Sequence, residues 1–164
     1  MRTEITHPFP ALYDRNSHIL ILGSFPSVKS REQQFFYGHA QNRFWKVMAA
    51  VLGCNMPQSI PEKKEMLLTH GVALWDSIAR CTIEGSSDAS IADVVPNDLT
   101  PIFASASIRQ VFCNGKKSWE MYHRYSESVS GRSALCLPST SPANAAWSLE
   151  RLTQAWREQL APYL

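Results

Sequence analysis

Four short stretches of this sequence place polar side chains where an apolar run has just ended. They are "GSFPS" (23–27), "DSIARC" (76–81), "NGKKS" (114–118) and "PSTSPAN" (138–144). A fifth, "FFYGHAQN" (35–42), sets three aromatic residues beside a glycine, a histidine and an asparagine, just ahead of a helical pattern. Asp76 follows "VALW" directly. An unpaired buried charge is expensive, so this carboxylate either caps neighbouring backbone or accepts hydrogen bonds from a ligand. Asn114 precedes Gly115, which makes a turn as well as a site. "GSFPS" lacks both G-x-x-x-x-G-K-[ST] and G-x-G-x-x-G, which disfavours nucleotide binding. As a tight glycine–proline turn it is either a plain strand-to-loop link or a source of backbone N–H groups for a ligand. Ser139, Thr140 and Asn144 exceed what capping by Ser141 and Pro142 requires. A helix N-terminus there predicts an anion site suited to phosphate. Helical spacing explains Phe44 as core. It gives no reason for Phe35, Phe36 and Tyr37 together, and a ring at a crevice is what a base-stacking pocket needs.

These residues need elements to hold them. "HILILG" (18–23), "GVALWD" (71–76), "IRQVFCNG" (108–115) and "ALCLPS" (134–139) read as buried strands. Helical patterns fill 42–53, 60–71, 97–106 and a short segment from Lys117, with Asn97 or Asp98 capping the third. A long closing helix spans 141–160, with Ser141 as N-cap and Pro142 at its first position. Residues 77–97 are polar and broken by "EGSSDAS", so they read as a long loop or irregular insert. Continuous apolar strands separated by helices imply an α/β fold with a parallel sheet covered on both faces. Ligands then bind at the carboxyl ends of the strands.

The chain has 164 residues, enough for a single domain over 1–164. Apolar residues make up 45% and charged residues 18%, which excludes global disorder. A net charge of +2 and a pI near 8.4 are compatible with a polyanion partner without requiring one. There is no apolar run of membrane-spanning length and no apolar leader at the N-terminus, so a cytoplasmic protein is expected. Cys54, Cys81, Cys113 and Cys136 are 27, 32 and 23 positions apart, so no C-x-x-C motif arises. Cys113 and Cys136 lie in apolar runs and read as small hydrophobes. No metal and no cofactor are expected.

Taken jointly, "ILILGSFPSVKSREQQFFYGHAQNRFWKVM", "GVALWDSIARC", "VPND", "VFCNGKKS" and "LPSTSPANA" resemble the uracil-DNA glycosylase superfamily. The resemblance runs from about Ile19 to the end of the chain and is closest to the hypoxanthine-DNA glycosylase branch. It implies a three-layer αβα sandwich around a short, mainly four-stranded parallel sheet. It also implies a metal-free, monofunctional enzyme that flips a deaminated base out of DNA and hydrolyses its N-glycosidic bond. Many relatives carry Asp or Asn in the first motif, where this chain has Ser24 and Phe25. In the hypoxanthine branch the catalytic role falls to an asparagine matched by Asn42. Phe36 matches the ring that stacks on the base, with Tyr37 beside it. Asp76 matches the base-reading position, and Gly23, Ser24, Phe25 and Asn114 complete the expected base-binding set. "PSTSPAN" matches the loop that enters the minor groove, and Ser139 stands near the place where some relatives have histidine. Ser27, Lys29, Lys116, Ser139, Thr140, Ser141, Pro142 and Asn144 are the expected DNA contacts. The partner is DNA containing a deaminated base, and a monomer is expected.

Asn42 is neutral and so is no strong general base. Its amide oxygen is expected to orient water toward C1′. Asp76 as a carboxylate only accepts hydrogen bonds. It would favour hypoxanthine, with its N1–H, over adenine, which presents an acceptor there. Uracil N3–H would satisfy it equally, so a uracil or mixed-substrate glycosylase stays open, as does a non-catalytic nucleic-acid-binding module of the same fold. A small-molecule hydrolase is poorly supported, because no Ser-His-Asp or metal pattern is visible.

Overall fold

The computed structural model describes residues 2–164. Its centre is a four-stranded, all-parallel sheet. The strands are β2 (Ile19–Gly23), β3 (Val72–Asp76), β6 (Gln110–Asn114) and β7 (Ala134–Leu137), in the spatial order β3-β2-β6-β7. Alternation along β2 explains the layers. Ile19 and Ile21 face one core with Phe44, Met48, Leu67, Leu152 and Trp156, while Leu20 and Leu22 face another with Leu99, Ile102 and Tyr122. The first core is covered by α2 (Phe44–Leu52), α3 (Ile60–Thr69) and α7 (Leu149–Leu160). The second is covered by α4 (Thr100–Ser105) and α5 (Lys116–Tyr125). A sheet with both faces covered has no solvated side, which is why its strands read as unbroken apolar runs. The three-layer αβα sandwich expected from the sequence is the observed architecture.

Helix ends follow local chemistry. Gly53 closes α2 in the left-handed conformation at φ 68°, and the Ser59 hydroxyl accepts from Glu62 N at the start of α3. A short helix that the sequence pattern does not signal, α1 (Val28–Gln33), follows "GSFPS". Its N-cap is Ser27, whose hydroxyl accepts from Ser30 N.

Four expectations need correction. Residues 77–97 are not a loop. β4 (Ile78–Ile83) pairs with both β1 (Thr3–Thr6) and β5 (Ala92–Pro96) in a second, antiparallel sheet of order β1-β4-β5. Its core of Phe25, Ile78, Cys81, Ile83, Ile91 and Met121 was hidden because the strands are short, bulged and separated by the polar "EGSSDAS" turn. The closing helix begins at Leu149 with Ser148 as N-cap, not at Ser141. Residues 138–148 are a loop, so Ser141 and Pro142 are neither N-cap nor first helical residue, and no helix dipole points from that loop. Asn97 does not cap α4. Its Nδ2 donates to the carbonyls of Asp76 and Ile78 and pins the bend from β3 into β4, while Asp98 Oδ1 accepts from Thr100 N. Among the cysteines, Cys113 is buried as expected, but Cys136 is exposed on β7, an edge strand of the sheet. Among the described residues, no helix is long and apolar enough to cross a membrane.

Candidate active site

β2 is flanked by β3 on one side and β6 on the other, so the chain reverses direction across the sheet beside Gly23. Crevices form at such points, at the carboxyl ends of the strands. A cavity of about 340 Å³ opens there. That is within the size range of small-molecule sites. Gly23, Ser24, Phe25, Phe36, Tyr37, Asp76 and Asn114 all border it, as does Asn42. Of the expected DNA contacts, Ser27, Ser139, Thr140, Ser141 and Pro142 border it too. Lys116 and Asn144 border a neighbouring depression instead. Lys29 pairs with Glu32 at 3.3 Å and Lys116 with Glu120 at 3.9 Å, both in solvent, where such pairs contribute little.

Gly23 is required by close approach. A Cβ there would lie 2.4 Å from Asp76 Oδ1 and 3.2 Å from the Tyr37 hydroxyl. Asp76 is buried, and its Oδ2 meets His7 Nε2 at 2.6 Å. His7 follows β1, an element that the sequence pattern leaves unassigned. Tyr37 holds a positive φ of 52° and stacks on Phe44 with ring centroids 4.1 Å apart. Burial pushes the Tyr37 hydroxyl far above its usual pKa, the Asp76 charge adds to this, and nearby Asn114 partly offsets it. The Asn114 amide is committed to Thr140, and the Tyr37 hydroxyl has no hydrogen-bond partner among the described residues. Phe36 is buried edge-on to Phe9, Phe35 and Trp75 and also borders the cavity. The aromatic run is therefore core and pocket wall at once. Phe25 borders the cavity, but its ring packs into the core of the second sheet.

Asn42 sits at the mouth of α2. Its Oδ1 accepts from Phe44 N at 2.9 Å and from Thr140 Oγ1 at 2.8 Å. A backbone N–H can only donate, so the amide orientation is fixed. This corrects the expected role of the amide oxygen, because both its lone pairs are taken. Nδ2 of Asn42 has no hydrogen-bond partner among the described residues. Thr140, expected as a DNA contact, is fully buried, and its hydroxyl lies between Asn114 Nδ2 and Asn42 Oδ1, where it braces the site. The other hydroxyls of the loop shape it from within: Ser139 Oγ accepts from Ser141 N, and Ser141 Oγ from Ala143 N. Arg43 fastens the loop to α2 by donating to the carbonyls of Ser141, Asn144 and Trp147.

Sequence reasoning missed a second carboxylate. Asp88, in the 3₁₀ turn between β4 and β5, accepts from Ser24 Oγ at 2.8 Å and borders the cavity. Burial raises its pKa above the usual carboxylate range, against the lowering effects of Ser24 and Lys117. Asp88 lies in the connection of the β4–β5 pair, which no local pattern signals.

The fold and the strand-end cavity define a class. Residues 10–162 match the model of the uracil DNA glycosylase superfamily, and the chain belongs to that family. Two relatives are named hypoxanthine DNA glycosylase. One, from Methanosarcina acetivorans, is 36% identical over 149 residues, covering 90% of this chain and 93% of the relative. The other, from Methanosarcina barkeri, is 34% identical over 153 residues, covering 92% and 94%. A solution NMR structure of a Methanosarcina acetivorans protein, described as a candidate uracil DNA glycosylase, superposes with a TM-score of 0.78 at 31% identity. It covers 95% of this chain and 98% of that one.

Proposed function

We propose that this chain is a monofunctional DNA glycosylase that releases hypoxanthine from deoxyinosine in DNA. The observation that carries the reading is Asp76, a buried carboxylate at the floor of the cavity with one oxygen held by His7 and the other against Gly23. An acceptor there fits the N1–H of hypoxanthine and repels the bare N1 of adenine. The names of the two relatives support the same substrate.

Breaking the C1′–N bond builds positive charge on the sugar and negative charge on the base. Phe36 supplies a ring for the extruded base, and such stacking is worth about 1–3 kcal/mol. That offsets part of the few kcal/mol needed for flipping. Asn42 Nδ2 donates to the attacking water through one lone pair and leaves the other to meet C1′. An oxocarbenium-like centre needs a well-placed nucleophile more than a strong one. The 138–148 loop, braced by Arg43, Thr140 and Trp156, is stiff enough to wedge against the duplex. In this reading Ser27, Lys29, Lys116, Ser139, Ser141, Pro142 and Asn144 lie toward the DNA. The protein is read as a cytoplasmic monomer, and its substrate as DNA containing a deaminated base.

A second reading, release of uracil, is favoured by the same carboxylate, because uracil N3–H fits Asp76 as well. Duplexes containing deoxyinosine, deoxyuridine, deoxyxanthosine or mismatched thymidine separate the readings. Abasic-site formation should be fastest with deoxyinosine. Faster release of uracil would replace the substrate assignment, and binding without any abasic product would show a non-catalytic module.

A further inference from the structure

We propose that His7 is a positioning residue for base recognition: it holds Asp76 through Oδ2 and so aims Oδ1 at the ring N–H of the flipped base. This inference rests on the glycosylase reading above. The His7 and Asp76 side chains are 3% and 5% exposed, and Nε2 and Oδ2 are 2.6 Å apart. A carboxylate has no proton to give, so the proton of this bond sits on Nε2 and the imidazole donates. Charge-assisted bonds of this length are the strong ones.

The geometry divides the two carboxylate oxygens. Oδ2 belongs to His7. Oδ1 stands over Gly23, on the border of the cavity. A guanidinium in place of the imidazole would take both oxygens in a fork and leave none for a base. An imidazole makes one bond and stops. With no partner at all, the buried carboxylate would have to bear its desolvation alone.

His7 is itself rigidly placed. Its backbone N–H donates to Ala79 O at 2.8 Å, which extends the β1–β4 ladder. Its ring lies 4.4 Å from Trp75, 4.5 Å from Phe9 and 6.4 Å from Phe36, centroid to centroid. The second sheet thus serves the site by carrying a histidine under the pocket floor. The ring expected to stack on the base packs against the same histidine, so recognition of the base edge and of its face share one support.

The test compares His7→Gln, which keeps an N–H donor, with His7→Leu, which keeps bulk and loses the donor. Binding is measured to a duplex carrying 2′-fluorinated, non-hydrolysable deoxyinosine and to one carrying a tetrahydrofuran abasic analogue. Single-turnover base release is measured alongside, with thermal melting as the check on folding. His7→Leu should lose about tenfold or more in inosine-duplex affinity and in release rate, while abasic-duplex affinity stays within about twofold. His7→Gln should recover most of the loss. Equal behaviour of the two variants would overturn the proposal. So would equal losses on both duplexes, since a merely structural role moves both. If the wild type prefers uracil, the hypoxanthine reading falls, and the same comparison is read on uracil DNA, whose N3–H meets Asp76 in the same way.

Discussion

Thr140 Oγ1 donates to Asn42 Oδ1 across 2.8 Å and joins the 138–148 loop to the start of α2. The direction of that bond is set from outside. Thr140 N–H donates to Asn114 Oδ1 at 3.0 Å, so Asn114 Nδ2 must donate to Thr140 Oγ1, and the hydroxyl proton is left for Asn42. Asn114 at the end of β6 and Thr140 in the loop thus agree with Phe44 N–H on the orientation of the Asn42 amide.

Thr140→Val keeps the shape and removes the bridge. It strands a donor on Asn114, at a penalty of about 1–3 kcal/mol. Base release should fall by roughly tenfold or more, with the salt dependence of DNA binding unchanged. A contact to phosphate would instead lower the salt slope by about one unit. Titrating affinity against salt for both proteins decides between the two.

Gly23→Ala puts a Cβ 2.4 Å from Asp76 Oδ1, and the carboxylate cannot retreat because His7 holds it. A displacement near 1 Å in a reacting constellation loses on the order of 10²-fold in rate. Single-turnover release from inosine DNA should drop to that degree, with DNA affinity changed far less. A rate within a factor of a few would mean that Oδ1 does not touch the base.

Phe36 serves two functions, so truncation to alanine would confuse them. Phe36→Leu keeps most of the core, at less than about 1.5 kcal/mol. It removes the ring, and with it roughly 1–3 kcal/mol of stacking. Affinity for a flipped, non-hydrolysable deoxyinosine should weaken by that amount while the melting temperature shifts little. Unchanged affinity would make Phe36 core alone.

Asp88 predicts a pH dependence. Burial raises its folded pKa, so its contribution to stability is fully present below the unfolded value, near pH 4, and is lost as pH rises through the folded value. Asp88→Asn can still accept from Ser24 and carries no charge. Its melting temperature relative to wild type should rise as pH increases from about 4 to 7. A relative fall over that window would mean that attraction to Lys117 outweighs burial.

Much of the scaffold was legible, for a definite reason. Three of the four parallel strands, β2, β3 and β6, are buried on both faces, so "ILIL", "VALW" and "VFC" declare themselves by composition. Gly53 and Ser59 mark helix ends because their conformations and bonds are local. The second sheet was not legible. Its strands are short, β1 and β5 have no buried residue, and the pairing joins Thr3 to Ile83 across half of the chain. His7 and Asp88 were missed with it. The loop near Ser141 misled because serine followed by proline caps a helix in isolation. Here the loop runs on to Ser148, held by Arg43 and Asn144. Asn42 was found from resemblance; its amide orientation is set locally by Phe44 N and matched by Thr140, ninety-eight residues away.

The central claim is that Asn42 serves catalysis through Nδ2 in a hypoxanthine-releasing pocket. The most direct measurement is the single-turnover rate of hypoxanthine release from deoxyinosine duplex by wild type, Asn42→Ala and Asn42→Asp. The aspartate keeps an oxygen for Phe44 N and Thr140 and replaces only the N–H donors. Release should be nearly abolished in both variants, with DNA binding retained. A near-normal rate for Asn42→Ala would contradict the catalytic assignment, and a near-normal rate for Asn42→Asp would return the role to the amide oxygen.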